Sequence, residues 1–162
     1  IQGLGQVGYT LARLLRDAGA RLVVADVDPS RVERVCRELG AIAVSPDEIL
    51  SADVDVFSPS AMSRVLTRSS IDALRCKVVA GAANVQLDDE RLAAVLRERG
   101  ILLAPDFVLN MGGVLSVSDG ELPREEIEDK VAAALKDTFA LADARGIPPY
   151  AAAVLLAKRK VA

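Results

Sequence analysis

Three glycines near the start of this 162-residue chain, Gly3, Gly5 and Gly8, have the spacing Gly-x-Gly-x-x-Gly. That spacing suits the binding of a pyrophosphate. Gly3 permits a tight turn, Gly5 lets backbone approach the phosphates with no Cβ in the way, and Gly8 lets a following helix lie close to the preceding strand. The amides of Gln6, Val7 and Gly8 would then open that helix, offering free N–H groups and the positive end of its dipole. Asp26 stands eighteen residues beyond Gly8, close to the ~20 at which an acid accepts the hydroxyls of an adenosine ribose. A 2′-phosphate would meet like charge there, so the pair of features favours NAD over NADP. Asp28 is a substitute candidate, although its place before Pro29 suits a helix cap, and Arg31 keeps NADP open.

Three further groups of small or polar residues fall where strands are expected to end. These are Ser58 to Ala61, Gly81 to Asn84, and Asn110 to Gly113. Small residues at adjacent strand ends leave a crevice that a flat nicotinamide ring could enter. The carboxamides of Asn84 and Asn110 could bind ribose, nicotinamide or substrate, and could equally serve turns or caps.

The elements that must position these residues alternate in type. Leu11, Leu14 and Leu15 predict a helix over residues 6 to 18, stopped by Gly19. Residues 21 to 25, 42 to 44, 54 to 57, 77 to 80 and 101 to 104 read as short strands. Between them, helices are expected from Pro29 to Gly40 and from about Asp88 to Arg99, with a capped turn at Ser45 to Leu50. Residues 105 to 113 read as a strand-end loop. Two helices follow, from Pro123 to Arg145 and from about Pro148 to Lys160. The pattern predicts an α/β fold: a Rossmann-type, doubly wound, mostly parallel sheet with two appended C-terminal helices. The expected division is a dinucleotide-binding domain over residues 1–118 and C-terminal helices over 119–162, packing on it or on a further domain. Only Ile1 and Gln2 precede the glycine loop, so the expectation is a first strand cut short and a chain that is part of a longer parent.

Composition narrows the chemistry. The chain is 51% hydrophobic and 27% charged with a formal net charge of −3, which suits a globular protein and not a basic nucleic-acid surface. It has no histidine, which excludes Ser-His-Asp and Cys-His catalysis within it. Cys36 and Cys76 lack metal-ligand spacing, so neither a metal site nor a disulfide framework is expected. No apolar run reaches the ~20 residues of a membrane span. The expectation is a cytoplasmic protein with no nucleic-acid or membrane partner.

Taken together, residues 1–8, the Pro59-Ser60-Ala61 step, the run from Gly81 to Leu87 and the run from Ala104 to Gly113 are similar to the cofactor domain of the glutamate/leucine/phenylalanine/valine dehydrogenases, nearest to the leucine branch. The resemblance spans essentially the whole chain. It implies an oxidoreductase that uses NAD to deaminate an L-amino acid reversibly to a 2-oxo acid and ammonia, within a homo-oligomeric parent. By the same resemblance Asn110 contacts substrate or nicotinamide, Ala83 and Asn84 line the nicotinamide ribose, and residues 59–61 back the ring. No catalytic residue is expected in this chain, because the family's catalytic lysines and aspartate belong to an N-terminal domain.

Three departures bear on the ring's surroundings: Ser60 stands for the usual cysteine, Val85 for the second asparagine of a pair, and Met111 for a small residue. The segment from Gly120 to Pro123 is shorter than in the leucine branch, and Glu128 and Val131 are candidates for the wall of the amino-acid pocket. An alternative is a non-catalytic, NAD-sensing regulatory module, such as those of potassium-transport proteins. It accounts for Gly3 to Asp26 but not for the strand-end motifs. A shikimate or methylene-tetrahydrofolate type dehydrogenase domain would need other strand ends.

Overall fold

A computed structural model describes residues 1–118 and 122–161. The five strands are β1 (Val23–Val24), β2 (Ile42–Ala43), β3 (Val56–Phe57), β4 (Val78–Val79) and β5 (Leu102–Leu103). β1 pairs with β2, β3 with β4, and β4 with β5, all in parallel. Gln2 joins the two groups through parallel bridges to Ala25 and to Pro59. Its amide donates to the Ser58 carbonyl at 2.9 Å, and its carbonyl accepts from the Ser60 amide at 2.8 Å. The lateral order is therefore β2, β1, the Gln2 segment, β3, β4, β5.

The helices follow from punctuation and apolar spacing. α1 (Gln6–Asp17) starts at the glycine loop. α2 (Pro29–Leu39) has Pro29 in its first turn, Asp28 as a cap accepting the Ser30 amide, and left-handed Gly40 at its end. Ser45 and Glu48 cap each other reciprocally ahead of a short 3₁₀ turn at Ile49–Ser51. α4 (Leu92–Glu98) has no side-chain cap, and α7 (Arg124–Arg145) ends at left-handed Gly146. α8 (Pro149–Val161) packs on α7, on α4 and on β5, so it is part of the same packed unit.

Two departures from expectation concern helices. α3 (Arg68–Ala73) was not anticipated; a Thr67–Ser70 capping box starts it, and buried Ile71 ties it to the core. Residues 105 to 113 are not an open loop, because they carry α5 (Asp106–Leu109) and the start of α6 (Met111–Ser118). The expected boundary after residue 118 and the Gly120 end of the shortened segment lie outside the described residues.

The core has two clusters. Val24 joins Ile1, Leu4, Ala12, Leu22 and Val35, against which Leu15, Val32 and Leu39 pack. Ala25 joins the larger cluster around Phe57, Leu66, Ile71, Val79, Leu96 and Leu103, with Val23 packed against it. Neighbours along β1 thus alternate between clusters, which places the clusters on opposite faces of the sheet. Burying each large side chain stabilises the fold by roughly 1.5–3 kcal/mol. Val24, Phe57, Val79 and Leu103 are buried in the strands, whereas Ile42, Val56 and Leu102 keep exposed faces. Among the described residues no helix is long and apolar enough to cross a membrane.

Candidate functional site

The glycine loop turns because Gly3 adopts φ +96°, a conformation that residues with a Cβ rarely reach. Each glycine has a different environment. A Cβ on Gly3 would lie 2.5 Å from the Ala61 Cβ, and one on Gly8 would lie 2.0 Å from the Gly3 carbonyl oxygen. A Cβ on Gly5 would meet only an Arg31 guanidinium nitrogen, at 3.9 Å. Gly5 is therefore the glycine that faces open space.

No side chain caps the N-terminus of α1, whose first amides belong to Gln6, Val7 and Gly8. Unsatisfied helix amides beside an open glycine make a cradle for an anion. Gln6 and Val7 are exposed while Gly8 is buried.

Asp26 lies two residues beyond β1, with its side chain only 6% exposed. Its Oδ2 accepts the Leu4 amide at 2.6 Å and its Oδ1 accepts the Asp28 amide at 2.9 Å. A carboxylate has about four lone-pair sites, so two remain for hydroxyl donors. Asp26 thus ties the glycine loop to the end of β1 while keeping acceptor capacity. Arg31 lies alongside, its NH1 3.8 Å from Asp26 Oδ2 and its Nε 3.3 Å from Asp28 Oδ2. Hydrogen bonds from Ser30, with the charge of Arg31 adding to them, hold the Asp28 carboxyl below its ordinary pKa.

Across the Gln2 segment, Pro59 is buried and Ser60 half-buried at the end of β3. Ser60 Cβ would be 3.6 Å from a Cβ on Gly8, so the glycine loop and residues 59–61 are in contact. The next loop is locked to this one, since a Cβ on Gly81 would lie 2.2 Å from the Pro59 carbonyl oxygen. Ala83 is buried and its amide donates to that same carbonyl at 2.9 Å.

Asn84 and Asn110, twenty-six residues apart, meet through a 2.8 Å hydrogen bond from Asn110 Nδ2 to Asn84 Oδ1. The Ala82 carbonyl also accepts from Asn110 Nδ2, at 3.2 Å. These two bonds fix which end of the Asn110 carboxamide is nitrogen, and leave its Oδ1 and the Asn84 amide group available. Asn110 sits at the break between α5 and α6, which is how a helical segment presents it beside β4.

Two residues that organise this loop were not foreseen. Gln86 is 1% exposed, and its Nε2 donates to the Gly81 and Ala83 carbonyls at 2.7 and 3.0 Å. Asp106, also buried, accepts the Val85 amide through Oδ2 at 2.5 Å. A glutamine between Val85 and Leu87 was the available signal, since a polar residue in an apolar run is either exposed or bonded. Asp106 gave none, its partner being twenty-one residues away.

Val85 itself stands at φ +51° and is 55% exposed. A β-branched residue in the left-handed region is strained by about 1–2 kcal/mol. Val85→Asn is accordingly expected to raise stability by about 1 kcal/mol, read as a shift in the urea midpoint at unchanged slope.

Met111 is half-buried, and Gly112 faces α7: a Cβ there would lie 3.1 Å from Ile127 Cγ2 and 3.9 Å from Val131 Cγ2. Val131 therefore lies near the Asn110 break, whereas exposed Glu128 pairs with Arg124 at 2.6 Å. Cys36 and Cys76 are both free thiols, and burial pushes that of Cys76 above its ordinary pKa. Away from the glycine loop, a cavity of about 460 Å³ lies between Leu22, Val23 and residues 53–58.

Comparison with known proteins gives this geometry a context. Residues 28–162 match the family described as Glutamate/Leucine/Phenylalanine/Valine dehydrogenase. Leucine dehydrogenase of Thermoactinomyces intermedius is 40% identical over 99% of this chain and 45% of its own length. L-tryptophan dehydrogenase of Nostoc punctiforme is 46% identical over 72% of this chain and 33% of its own. The crystal structure of that tryptophan dehydrogenase superposes with a TM-score of 0.90 at 38% identity, covering 99% of this chain and 50% of the other. A hetero-hexameric glutamate dehydrogenase from Thermus thermophilus shares the fold, with a TM-score of 0.76 at 24% identity and coverage of 99% and 44%. The chain spans about half or less of the length of the proteins it matches. It belongs to the glutamate/leucine/phenylalanine/valine dehydrogenase family.

Proposed function

We propose that the chain is the NAD-binding half of an amino-acid dehydrogenase, folded as a Rossmann-type doubly wound domain over residues 1–118 and extended by C-terminal helices over 119–162. The lateral strand order supports the fold. From the Gln2 segment the chain winds outward through β1 and β2, then returns to wind the other way through β3, β4 and β5. Nucleotides bind at such a reversal, outside the strand C-termini. The glycine loop and residues 59–61 meet there.

The observation that carries the reading is the open face of Gly5 beside the uncapped amides of α1. In this reading Gly3, Gly5, Gln6, Val7 and Gly8 hold the pyrophosphate and Asp26 the adenosine ribose. Ala83 and Asn84 hold the second ribose, while Pro59, Ser60, Ala61 and Asn110 border the ring and the substrate. The chemistry supplied by bound NAD is acceptance of a hydride from the amino acid's Cα, with hydrolysis then giving the 2-oxo acid and ammonia. Asn110 Oδ1 and the Asn84 amide, an acceptor and a donor side by side, orient polar groups at that end of the crevice.

Proton transfer falls to groups of the whole protein, which we read as a cytoplasmic homo-oligomer. An NAD sensor would need the glycine loop and Asp26 alone. The Asn84–Asn110 pair favours the dehydrogenase.

Calorimetric titration tests the coenzyme. NAD is expected to bind about tenfold or more tightly than NADP, a difference of about 1.4 kcal/mol. Asp26→Ala is expected to narrow that gap. Equal affinities in the unmodified chain would remove Asp26 from the ribose.

A further inference from the structure

We propose that Asp106 is a positioning residue: its carboxylate holds the turn at Val85 in left-handed form and so aims the Asn84 carboxamide at Asn110 and at the proposed second ribose. The proposal rests on the coenzyme reading above and adds to it a residue that acts through Asn84. At φ +51° Val85 occupies a conformation that a β-branched residue leaves when nothing holds it. Packing of its side chain is not the holder, because the residue is 55% exposed. The backbone bonds on either side are. The Val85 amide donates to Asp106 Oδ2 at 2.5 Å, and the Val85 carbonyl accepts the Arg64 amide at 2.6 Å. Arg64 is itself left-handed, at φ +56°, so that anchor carries the same strain as the turn it serves.

Asp106 is the anchor on a packed element. It is buried at the start of α5, where Val108 is buried as well and the Phe107 ring meets Tyr150 of α8 edge to face, 5.4 Å between centres. Its main-chain carbonyl accepts the Asn110 amide at 2.8 Å. One residue therefore bonds to the backbone next to Asn84 through its side chain, and to the backbone of Asn110 through its carbonyl. The 2.8 Å bond between the two carboxamides needs both backbones at a fixed separation, which Asp106 sets. A carboxylate accepting a main-chain N–H makes a stronger bond than a neutral acceptor, which suits a contact that must oppose strain. Without it Val85 relaxes toward negative φ, the peptide between residues 84 and 85 turns, and Asn84 leaves Asn110.

The test uses the whole chain, labelled with heavy nitrogen for magnetic resonance, and titrations with NAD and with ADP, which ends before the second ribose. In Asp106→Ala the side-chain amide signal of Asn110 is expected to shift, and NAD affinity to fall about tenfold while ADP affinity stays within about twofold. Asp106→Asn keeps an oxygen at the same reach, and is expected to restore the signal and hold NAD affinity within about threefold of the unmodified chain. Glycine occupies the left-handed region without a holder, so Asp106→Ala is expected to cost less than about twofold in NAD affinity when Val85→Gly is already present. An Asp106→Ala chain that folds only beside Val85→Gly shows the same coupling in urea unfolding. Unfolding in both backgrounds, an Asn110 signal that does not move, or an equal loss of NAD affinity with and without Val85→Gly would overturn the proposal and leave the coenzyme reading intact. Failure of the unmodified chain to bind NAD would overturn that reading and this proposal with it.

Discussion

Gly8→Ala is expected to weaken NAD binding by more than about a hundredfold and to destabilise the chain by about 3 kcal/mol, at the upper end of what overpacking does. The new Cβ would lie 2.0 Å from the Gly3 carbonyl oxygen and 3.0 Å from its carbon, both backbone atoms with nowhere to retreat. Gly3 is held in place, because its amide donates to the Ala25 carbonyl at 2.8 Å and Ala61 fills the space where its Cβ would stand. The clash must therefore be relieved by moving α1. In the proposed binding mode that motion withdraws the Gln6 and Val7 amides from the phosphates, and it loosens Ala12 from the smaller core cluster. Gly5→Ala is the informative control. Its Cβ has room in the folded chain, so stability is expected to stay within about 0.5 kcal/mol while coenzyme binding falls. Normal NAD affinity in Gly8→Ala would show that α1 does not hold the pyrophosphate.

Gln86→Leu is expected to destabilise the chain by about 2–4 kcal/mol and to disorganise the proposed nicotinamide end. Leucine fills similar space but leaves the Gly81 and Ala83 carbonyls without their shared donor, and each buried acceptor so stranded costs about 1–3 kcal/mol. Gln86→Glu is expected to be worse, since it places a buried carboxylate against the same two carbonyls. The functional signature is selective. NAD affinity is expected to fall toward that of ADP, which lacks both the nicotinamide and the second ribose proposed to lie at Ala83 and Asn84. Urea unfolding gives the first quantity and paired titrations the second. A variant as stable as the parent would mean that the loop carbonyls find other donors, and would reduce Gln86 to packing.

Sequence patterns revealed elements wherever a single physical signal dominated. Asp28-Pro29 and Gly40 bracket α2, and Gly146 ends α7, because caps and left-handed turns restrict residue type. The strands were expected at lengths of three to five residues, and each has two paired residues. Ala25 and Pro59 join the Gln2 segment through isolated bridges, so the ladder there is interrupted. α3 was missed because Arg68, Ser69 and Ser70 show no apolar stripe, and Ser70 is not the usual Glu or Gln of a capping box.

The segment holding α5 and α6 was misread for a different reason. Pro105, Asn110, Gly112 and Gly113 are turn formers by propensity, yet tertiary packing overrides them. Gly112 is small because α6 approaches Ile127 of α7, not because the chain bends there. The same limit applies to the candidate site. Glycine spacing and an acid at a strand end can be read along the chain, whereas the Asn84–Asn110 bond and the Asp106 contact to Val85 exist only after folding.

The contact between Gly3 and Ala61 has a consequence for anyone redesigning this protein. Residue 61 borders the proposed ring position, and it is an obvious choice for altering which substrates fit. Its methyl group is also the floor on which the glycine loop rests, at 2.5 Å from where a Gly3 Cβ would be. Enlarging it tilts that floor. Substrate range and coenzyme affinity are then one coupled variable at this position, and substitutions at residues 3 and 61 should show strong epistasis rather than independent effects.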